Sequence, residues 1–339
     1  MSPSILITGA TGTIGALLVR TLAARSIPAR ALVRSHERAR SLSSLSSIEF
    51  VQGDLEERAS IEAALTGIAR VFVCTSPAPD QVVLQGNVVE AAERTRRPIH
   101  LVAVSAIGAV PPDVPLQLAQ WHRVTEAQIR STALPATILR PQFLMQTLLR
   151  AAPSIQSENM LCGSFSPARL PIVDARDVAD AAAAILTTPD VGPLNGNGRQ
   201  TNEHAGQSYS LTGPQALSYN EIAALFSKEL GRPIRYIDMP ADAYQEYLMS
   251  RRLPQWKVDD LTLLARSFRN GHVWPVSSDV ATLTGRPART LRQFIHDYSS
   301  EFQPHESALP AQDLCLQCAT PFWSLSPTAP PPHRSRESS

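Results

Sequence analysis

Read for its apolar positions alone, the first half of the chain alternates two patterns. Short runs rich in Val, Ile and Leu, without polar alternation, occur in "SILITGA", "ARALVR", "IEFVQGDL", "RVFVCTS" and "IHLVAVSAIG". Runs of that length and character predict strands of a parallel sheet buried on both faces. Between them "GTIGALLVRTLAAR", "ASIEAALTG" and "VVLQGNVVEAAERTR" carry helical spacing. A β-α-β order of this kind predicts a doubly wound α/β fold, with ligands at the C-terminal ends of the strands.

The second half is less regular. "RVTEAQIRSTAL" reads as a helix, "ATILRPQFLMQTLL" as a strand running into a helix, "DARDVADAAAAILTT" as a helix and "SYSLTG" as a strand. Ser218 and Glu221, three residues apart before an apolar face, predict a capping box, and residues 240–300 read as mostly helical. Residues 189–207 are rich in Gly, Pro and Asn and predict a surface loop. From Gln303 the chain is dominated by Pro, Ser and Ala, too poor in apolar residues to offset ordering entropy, so 303–339 is expected to be a disordered tail.

Composition narrows the function. The chain has 339 residues, 43% of them hydrophobic, with a net charge of +1. All but two of its basic residues are arginines, scattered rather than blocked, so nucleic acid is not an expected partner. No apolar run approaches the roughly 20 residues needed to span a bilayer, and the N-terminus lacks the pattern of a secretory signal. A cytoplasmic protein without a membrane partner is expected. Four cysteines do not make a disulfide framework. Cys315 and Cys318 form a lone C-x-x-C without a second pair, and no metal site is expected.

The chemistry begins at "GATGTIG", where Gly9, Gly12 and Gly15 follow a strand and open a helix. Glycines there allow a tight turn and let the backbone reach a pyrophosphate, while the helix N-terminus offers N–H groups to the phosphates. Thr11, Thr13 and Ile14 complete the turn. The second strand ends in "ALVRSHERAR", with Arg34, His36 and Arg38 before or around the first carboxylate, Glu37. A guanidinium would hold a 2′-phosphate that a carboxylate would repel, so NADPH/NADP+ is expected over NADH, with Arg34 as the first contact. Asp54 in "GDL" could accept from the adenine amino group or cap the next helix. Thr75 and Ser76, at the end of the fourth strand, should line the groove.

Together "GATGTIG", "GDL", "VSAIG", "WHRVTE", "ILRPQFLMQ", "DARDVA", "LTGPQALSYNEIA" and "GRPARTLRQF" resemble the NmrA-like family, an atypical branch of the short-chain dehydrogenases/reductases, over about residues 4–302. That family includes quinone reductases, isoflavone-reductase-like and iminium reductases, and dinucleotide-binding regulators. The resemblance implies an α/β fold: a Rossmann-type doubly wound parallel sheet over 1–150, with 172–188 packing back onto it. A smaller C-terminal α/β substrate domain would follow over 151–302. It also implies an oxidoreductase of secondary metabolism acting on a small molecule; a monomer or homodimer is expected.

The chain departs from the wider superfamily at its catalytic centre. Ser105 stands where that superfamily has its serine, but no tyrosine precedes Tyr209. Neither lysine, Lys228 or Lys257, has a tyrosine four residues before it; His122 occupies the lysine position. Two accounts follow. His122 could be the acid, since its ordinary pKa suits neutral pH. Alternatively the substrate needs none, because a quinone or iminium ion accepts hydride to give a phenolate or a neutral amine. The second account explains both absences. Ser105 and His122 are then the expected reacting-side residues, with Trp121, Gln142, Phe143 and Met145 lining the substrate side. Each also has a plainer reading: a strand end for Ser105, a satisfied structural histidine for His122, core for Phe143 and Met145. Arg140 and Asp177 are read as structural. The rival classes are a dinucleotide-sensing regulator without turnover and a structural subunit that binds no nucleotide.

Overall fold

The computed structural model describes residues 4–106, 114–190, 202–251, 253–271 and 273–304. The apolar runs become β1 (Ile5–Ile7), β2 (Ala29–Val33), β3 (Ile48–Gln52), β4 (Arg70–Val73) and β5 (His100–Val104). β6 (Ala136–Pro141) and β8 (Ser208–Leu211) extend the same sheet. Its order is β3-β2-β1-β4-β5-β6-β8, and every adjacent pair is parallel. The reversal between β1 and β4 opens the crevice in which such sheets bind ligands.

Each face of the sheet carries its own core. On one face, Leu18, Val19 and Leu22 of α1 (Thr13–Ala24) pack with Val178, Ala182 and Ile185 of α6 (Ala175–Thr187). The alanine stripe of α6 lets α1 lie close along it, since small side chains permit near approach of two helices. On the other face, α2 (Arg58–Ala64) and α3 (Gln81–Arg94) cover the strands, joined by Ile129 of α4 (Gln117–Ser131).

A second layer gathers α5 (Ala152–Glu158), β7 (Met160–Gly163), α7 (Tyr219–Leu230), β9 (Arg235–Asp238), α8 (Ala241–Ser250) and α9 (Gln255–Phe268). β7 and β9 form a two-stranded parallel sheet. Its core is aromatic: Phe143, Phe226, Phe268, Trp274, Phe294 and Phe302 are all buried in one cluster. α7 opens on the expected capping box, with the Ser218 hydroxyl accepting the Glu221 N–H at 3.3 Å and the Glu221 carboxylate accepting the Ser218 N–H at 2.8 Å. α10 (Asp279–Thr284) packs against α6, and α11 (Leu291–Asp297) against α7.

Asp177, fully buried on α6, accepts the Arg289 backbone N–H at 2.7 Å and pairs with the Arg286 and Arg289 guanidiniums. These bonds fasten the "GRPAR" segment to the first layer, a structural use of the carboxylate.

Candidate functional site

The turn between β1 and α1 is stitched to the end of β4. The Thr8 hydroxyl lies 3.0 Å from the Phe72 carbonyl oxygen and 3.2 Å from that of Cys74, and accepts the Cys74 N–H at 3.0 Å. Burial pushes the Cys74 thiol up to about 12, so it stays protonated. Gly9 has a φ of +61°, and a Cβ there would lie 2.5 Å from the Cys74 carbonyl oxygen. A Cβ on Gly15 would come within 2.1 Å of the Gly9 carbonyl oxygen. Gly12 donates its N–H to Gly9 at 2.9 Å and starts α1. No side chain caps that helix, and no acidic residue sits in its first turn. Backbone N–H groups at the helix N-terminus and the floor that side chains would fill thus fit a dinucleotide pyrophosphate. Ile14, by contrast, is buried in the α1 core, and Thr11 and Thr13 are partly exposed beside the turn.

Arg34 follows β2 directly and is exposed, as are His36 and Arg38. Gly53 donates its N–H to Val33 at 3.0 Å, which sets "GDL" beside the end of β2. Asp54 accepts the Glu56 N–H at 3.0 Å, a local turn that fixes the carboxylate. Beyond β4, the Thr75 hydroxyl accepts from Gln85 Nε2 at 2.8 Å, and Ser76 is exposed.

The other wall is made by β5 and α4. The Asp260 carboxylate on α9 accepts the N–H groups of Gln117 and Leu118 at 2.7 and 2.9 Å, which fixes where α4 begins. Ser105 is buried just past β5, its N–H given to Leu139 at 2.7 Å. Its hydroxyl donates to the Glu126 carboxylate on α4. Arg140, in β6, grips the same carboxylate with two bonds of 2.9 and 2.5 Å, and Arg130 lies 3.5 Å away. Burial alone would raise the Glu126 carboxyl. Hydrogen bonds from Arg140 and Ser105, with the charges of Arg140 and Arg130, carry it below its usual range instead. A carboxylate held ionised can only accept, so Ser105 is the donor of that bond.

His122 sits one turn before Glu126 and is only 7% exposed. Burial lowers its pKa to about 4, against a small opposing pull from Glu126. The ring is therefore neutral at pH 7. Gln81, fully buried on α3, places its Nε2 3.2 Å from Nδ1 and 3.4 Å from Nε2 of that ring. Trp121 is half-buried and meets Trp256 of α9 edge-on at 4.9 Å. Gln142 is buried, with its N–H given to Leu211 at 2.9 Å. Phe143 and Met145 lie within the aromatic core, Phe143 edge-on to Phe268 at 5.8 Å and to Trp274 at 6.0 Å.

The glycines of the first turn and the β4 end therefore form one wall. Gln85 ties Thr75 to α3, and Gln81 ties α3 to His122. Arg34 and Asp54 lie on the flank, at the ends of β2 and β3. Sequence reasoning left out Gln81, Gln85, Asp260 and the joining of Glu126 to Ser105 and Arg140. A signal existed for one of these: Glu126 is four residues after His122.

Residues 191–201 of the 189–207 segment, and the C-terminal stretch with Cys315 and Cys318, lie outside the described residues. Among the described residues no group of three His, Cys, Asp or Glu could hold a metal, and no helix is long and apolar enough to cross a membrane.

A sequence model of the NmrA-like family matches residues 1–282. An NAD(P)H azoreductase from Xenophilus azovorans is 34% identical over 298 residues, 88% of this chain and 99% of that protein. A (4-alkanoyl-5-oxo-2,5-dihydrofuran-3-yl)methyl phosphate reductase from Streptomyces griseus is 33% identical over 300 residues, with the same shares covered. Among solved structures, the NADPH complex of a quinone oxidoreductase from Escherichia coli superposes with a TM-score of 0.73 at 24% identity, covering 86% of this chain and 98% of that one. At that identity the likeness speaks for the fold.

Proposed function

Because the chain belongs to the NmrA-like family, we propose that it is an NAD(P)H-dependent oxidoreductase acting on an electrophilic, conjugated small molecule: a quinone, an iminium ion or an enone. NADPH, when bound, supplies the hydride. Gly9, Gly12, Gly15 and the amides opening α1 hold its pyrophosphate, Arg34 its 2′-phosphate, and Asp54 the adenine edge. Thr75 and Ser76 line the groove. Trp121 and Gln142 face the substrate side, with Phe143 and Met145 behind them as core.

The observation that carries the substrate class is the state of the two polar groups expected on the reacting side. His122 is neutral, and the Ser105 proton is given to Glu126. Neither is an acid ready to protonate an alkoxide, a task whose loss typically slows a reductase by about 10²–10⁴-fold. Reduction of a quinone, iminium or enone leaves a phenolate, an amine or an enolate. None of these requires a proton from the protein in the same step. The names of the two relatives of 33–34% identity, an azoreductase and a dihydrofuranyl phosphate reductase, support a conjugated substrate.

The test is loss of NADPH absorbance with purified protein and a panel of quinones, iminium ions and enones beside simple ketones. Turnover confined to the conjugated members is expected. Turnover of simple ketones would overturn the acid-free account. Tight dinucleotide binding without any turnover would replace the enzyme by a sensor.

A further inference from the structure

α4 begins without a cap of its own. Its N-cap residue is Leu116, whose side chain cannot accept a hydrogen bond, and no acidic residue stands in its first turn. The acceptor is Asp260 on α9, 142 positions beyond Leu118, whose two oxygens take the N–H groups of Gln117 and Leu118. Asp260 is only 4% exposed, and burial raises its carboxyl despite those two bonds. A serine or aspartate at the N-cap is the usual solution and needs no second element. What the distant cap adds is dependence: α4 is capped only while α9 lies against it.

α9 is held differently along its length. Leu264 and Phe268, towards its C-terminal end, are buried in the aromatic core. Val258, Leu261 and Ala265 pack instead with Tyr244, Tyr247 and Leu248 of α8, in a small core confined to the α8–α9 hairpin. The N-terminal end reaches α4 through Asp260 and through Trp256, one turn earlier, whose ring meets Trp121 edge-on at 4.9 Å. Asp260 and Phe268 are about 12 Å apart along the helix axis. The hairpin is thus pinned at one end by apolar burial and attached at the other by two hydrogen bonds and a ring contact, which part more readily than a buried phenylalanine. Leu116 and Ala119 hold one side of α4 in the aromatic core. What Asp260 governs is therefore the winding of the first turn, directly before Trp121 and His122.

We propose that Asp260 is a positioning residue: capping α4 from the second layer, it keeps the turn before Trp121 and His122 wound while the α8–α9 hairpin is shut, so that the hairpin acts as a lid on the substrate side. The role deepens the reductase reading and rests on it. With the hairpin lifted, Gln117 and Leu118 lose their acceptor and the first turn frays. Trp121 and His122 then follow unwound chain, and the reacting side is not assembled. A substrate that touches both Trp121 and Trp256 favours the shut state, because the two rings meet only there.

Asp260→Ala should lower the quinone kcat about tenfold, as for a slight misplacement of reacting groups, with NADPH affinity unchanged because the glycine turn lies on the other wall. Asp260→Asn keeps one acceptor and should fall between. Hydrogen exchange at Gln117 and Leu118 should quicken in Asp260→Ala while that of β1 to β5 stays as it was. The exciton signal of the tryptophan pair in circular dichroism, identified by its loss in Trp256→Phe, should strengthen in the unaltered protein when NADP+ and a quinone are added together. In Asp260→Ala it should start weaker and respond less. A cap that only supports the fold would lower the melting temperature but leave kcat per NADPH-binding site and the ligand response of the exciton signal unaltered; that result would overturn the proposal. Equal losses of NADPH affinity and kcat would also overturn it. An unaltered protein that turns over no quinone, iminium ion or enone would sink the reductase reading instead, and the exchange rates and exciton response would still decide whether Asp260 latches the hairpin to α4.

Discussion

Along the ends of β1 and β4 the site is built from backbone, whereas along β5 and α4 it is built from buried side chains. On the first wall the decisive contacts are distances that leave no room for a Cβ: 2.5 Å at Gly9 and 2.1 Å at Gly15. On the second they are charge and proton placement: Glu126 between Arg140 and Ser105, and His122 against Gln81. The backbone wall suits a ligand part that never changes during reaction. The side-chain wall suits a part whose charge does change, because only side chains can be tuned by their neighbours.

The sharpest way to break this division is Gly15→Ala. Its methyl group would strike backbone that cannot swing aside, so NADPH binding should weaken by at least about a hundredfold in a calorimetric titration. Near-normal affinity in a folded variant would remove the backbone wall from the account.

The second wall should reveal itself in acid. His100 at the start of β5 and His122 on α4 are both buried, each lowered from 6.5 to about 4, His100 by burial and then by Arg70. The unfolded rings bind protons below about 6.5 and the folded rings only near 4, so the unfolded chain takes up more protons between those values. Stability should therefore fall as pH drops through that window, by roughly 3 kcal/mol for each ring once it is fully traversed. Denaturant melts from pH 7 to pH 4 measure it, and His122→Gln should remove about half of the slope. A flat profile would mean that the rings are hydrated.

Glu126→Gln comes next. It leaves Arg140 facing a neutral amide, which should cost roughly 2–3 kcal/mol of unfolding free energy, near the lower end for broken buried pairs because the Arg140 side chain is 31% exposed. Its NADPH affinity should hardly move; a large change would join the two walls into one device. The smallest effect belongs to Arg34→Ala. Exposed as it is, Arg34 should give about one decade of preference for NADPH over NADH and leave NADH binding alone.

The same division governs what could be read from the sequence. The parallel sheet was legible because strands buried on both faces run largely apolar without polar alternation, as "SILITGA" and "IHLVAVSAIG" do. The glycine turn was legible because its spacing is imposed by covalent geometry within seven consecutive residues. The capping box of Ser218 and Glu221 was legible for the same local reason. Gln81 was not, since nothing within α3 tells that its amide will meet a histidine 41 positions later. The bond of Glu126 to Arg140 likewise depends on how β6 lies against α4. Phe143 and Met145, expected on the substrate side or in the core, occupy the aromatic core, where long-range packing decides their surroundings.

The path of the chain through the sheet has a consequence for recombination. Strand β8 joins the edge of the large sheet only after the chain has left it to build β7, and α6 returns to lie along α1. A chimera spliced once, after β6, would take its sheet edge and the helix facing α1 from a second parent. Both interfaces would then join surfaces that never evolved together. Two junctions, one before β7 and one before α6, would graft β7 alone and leave β9 with a foreign neighbour. Relatives of this protein are thus poor material for single-crossover shuffling, and the proposed substrate side is better varied by point changes at Trp121 and Gln142.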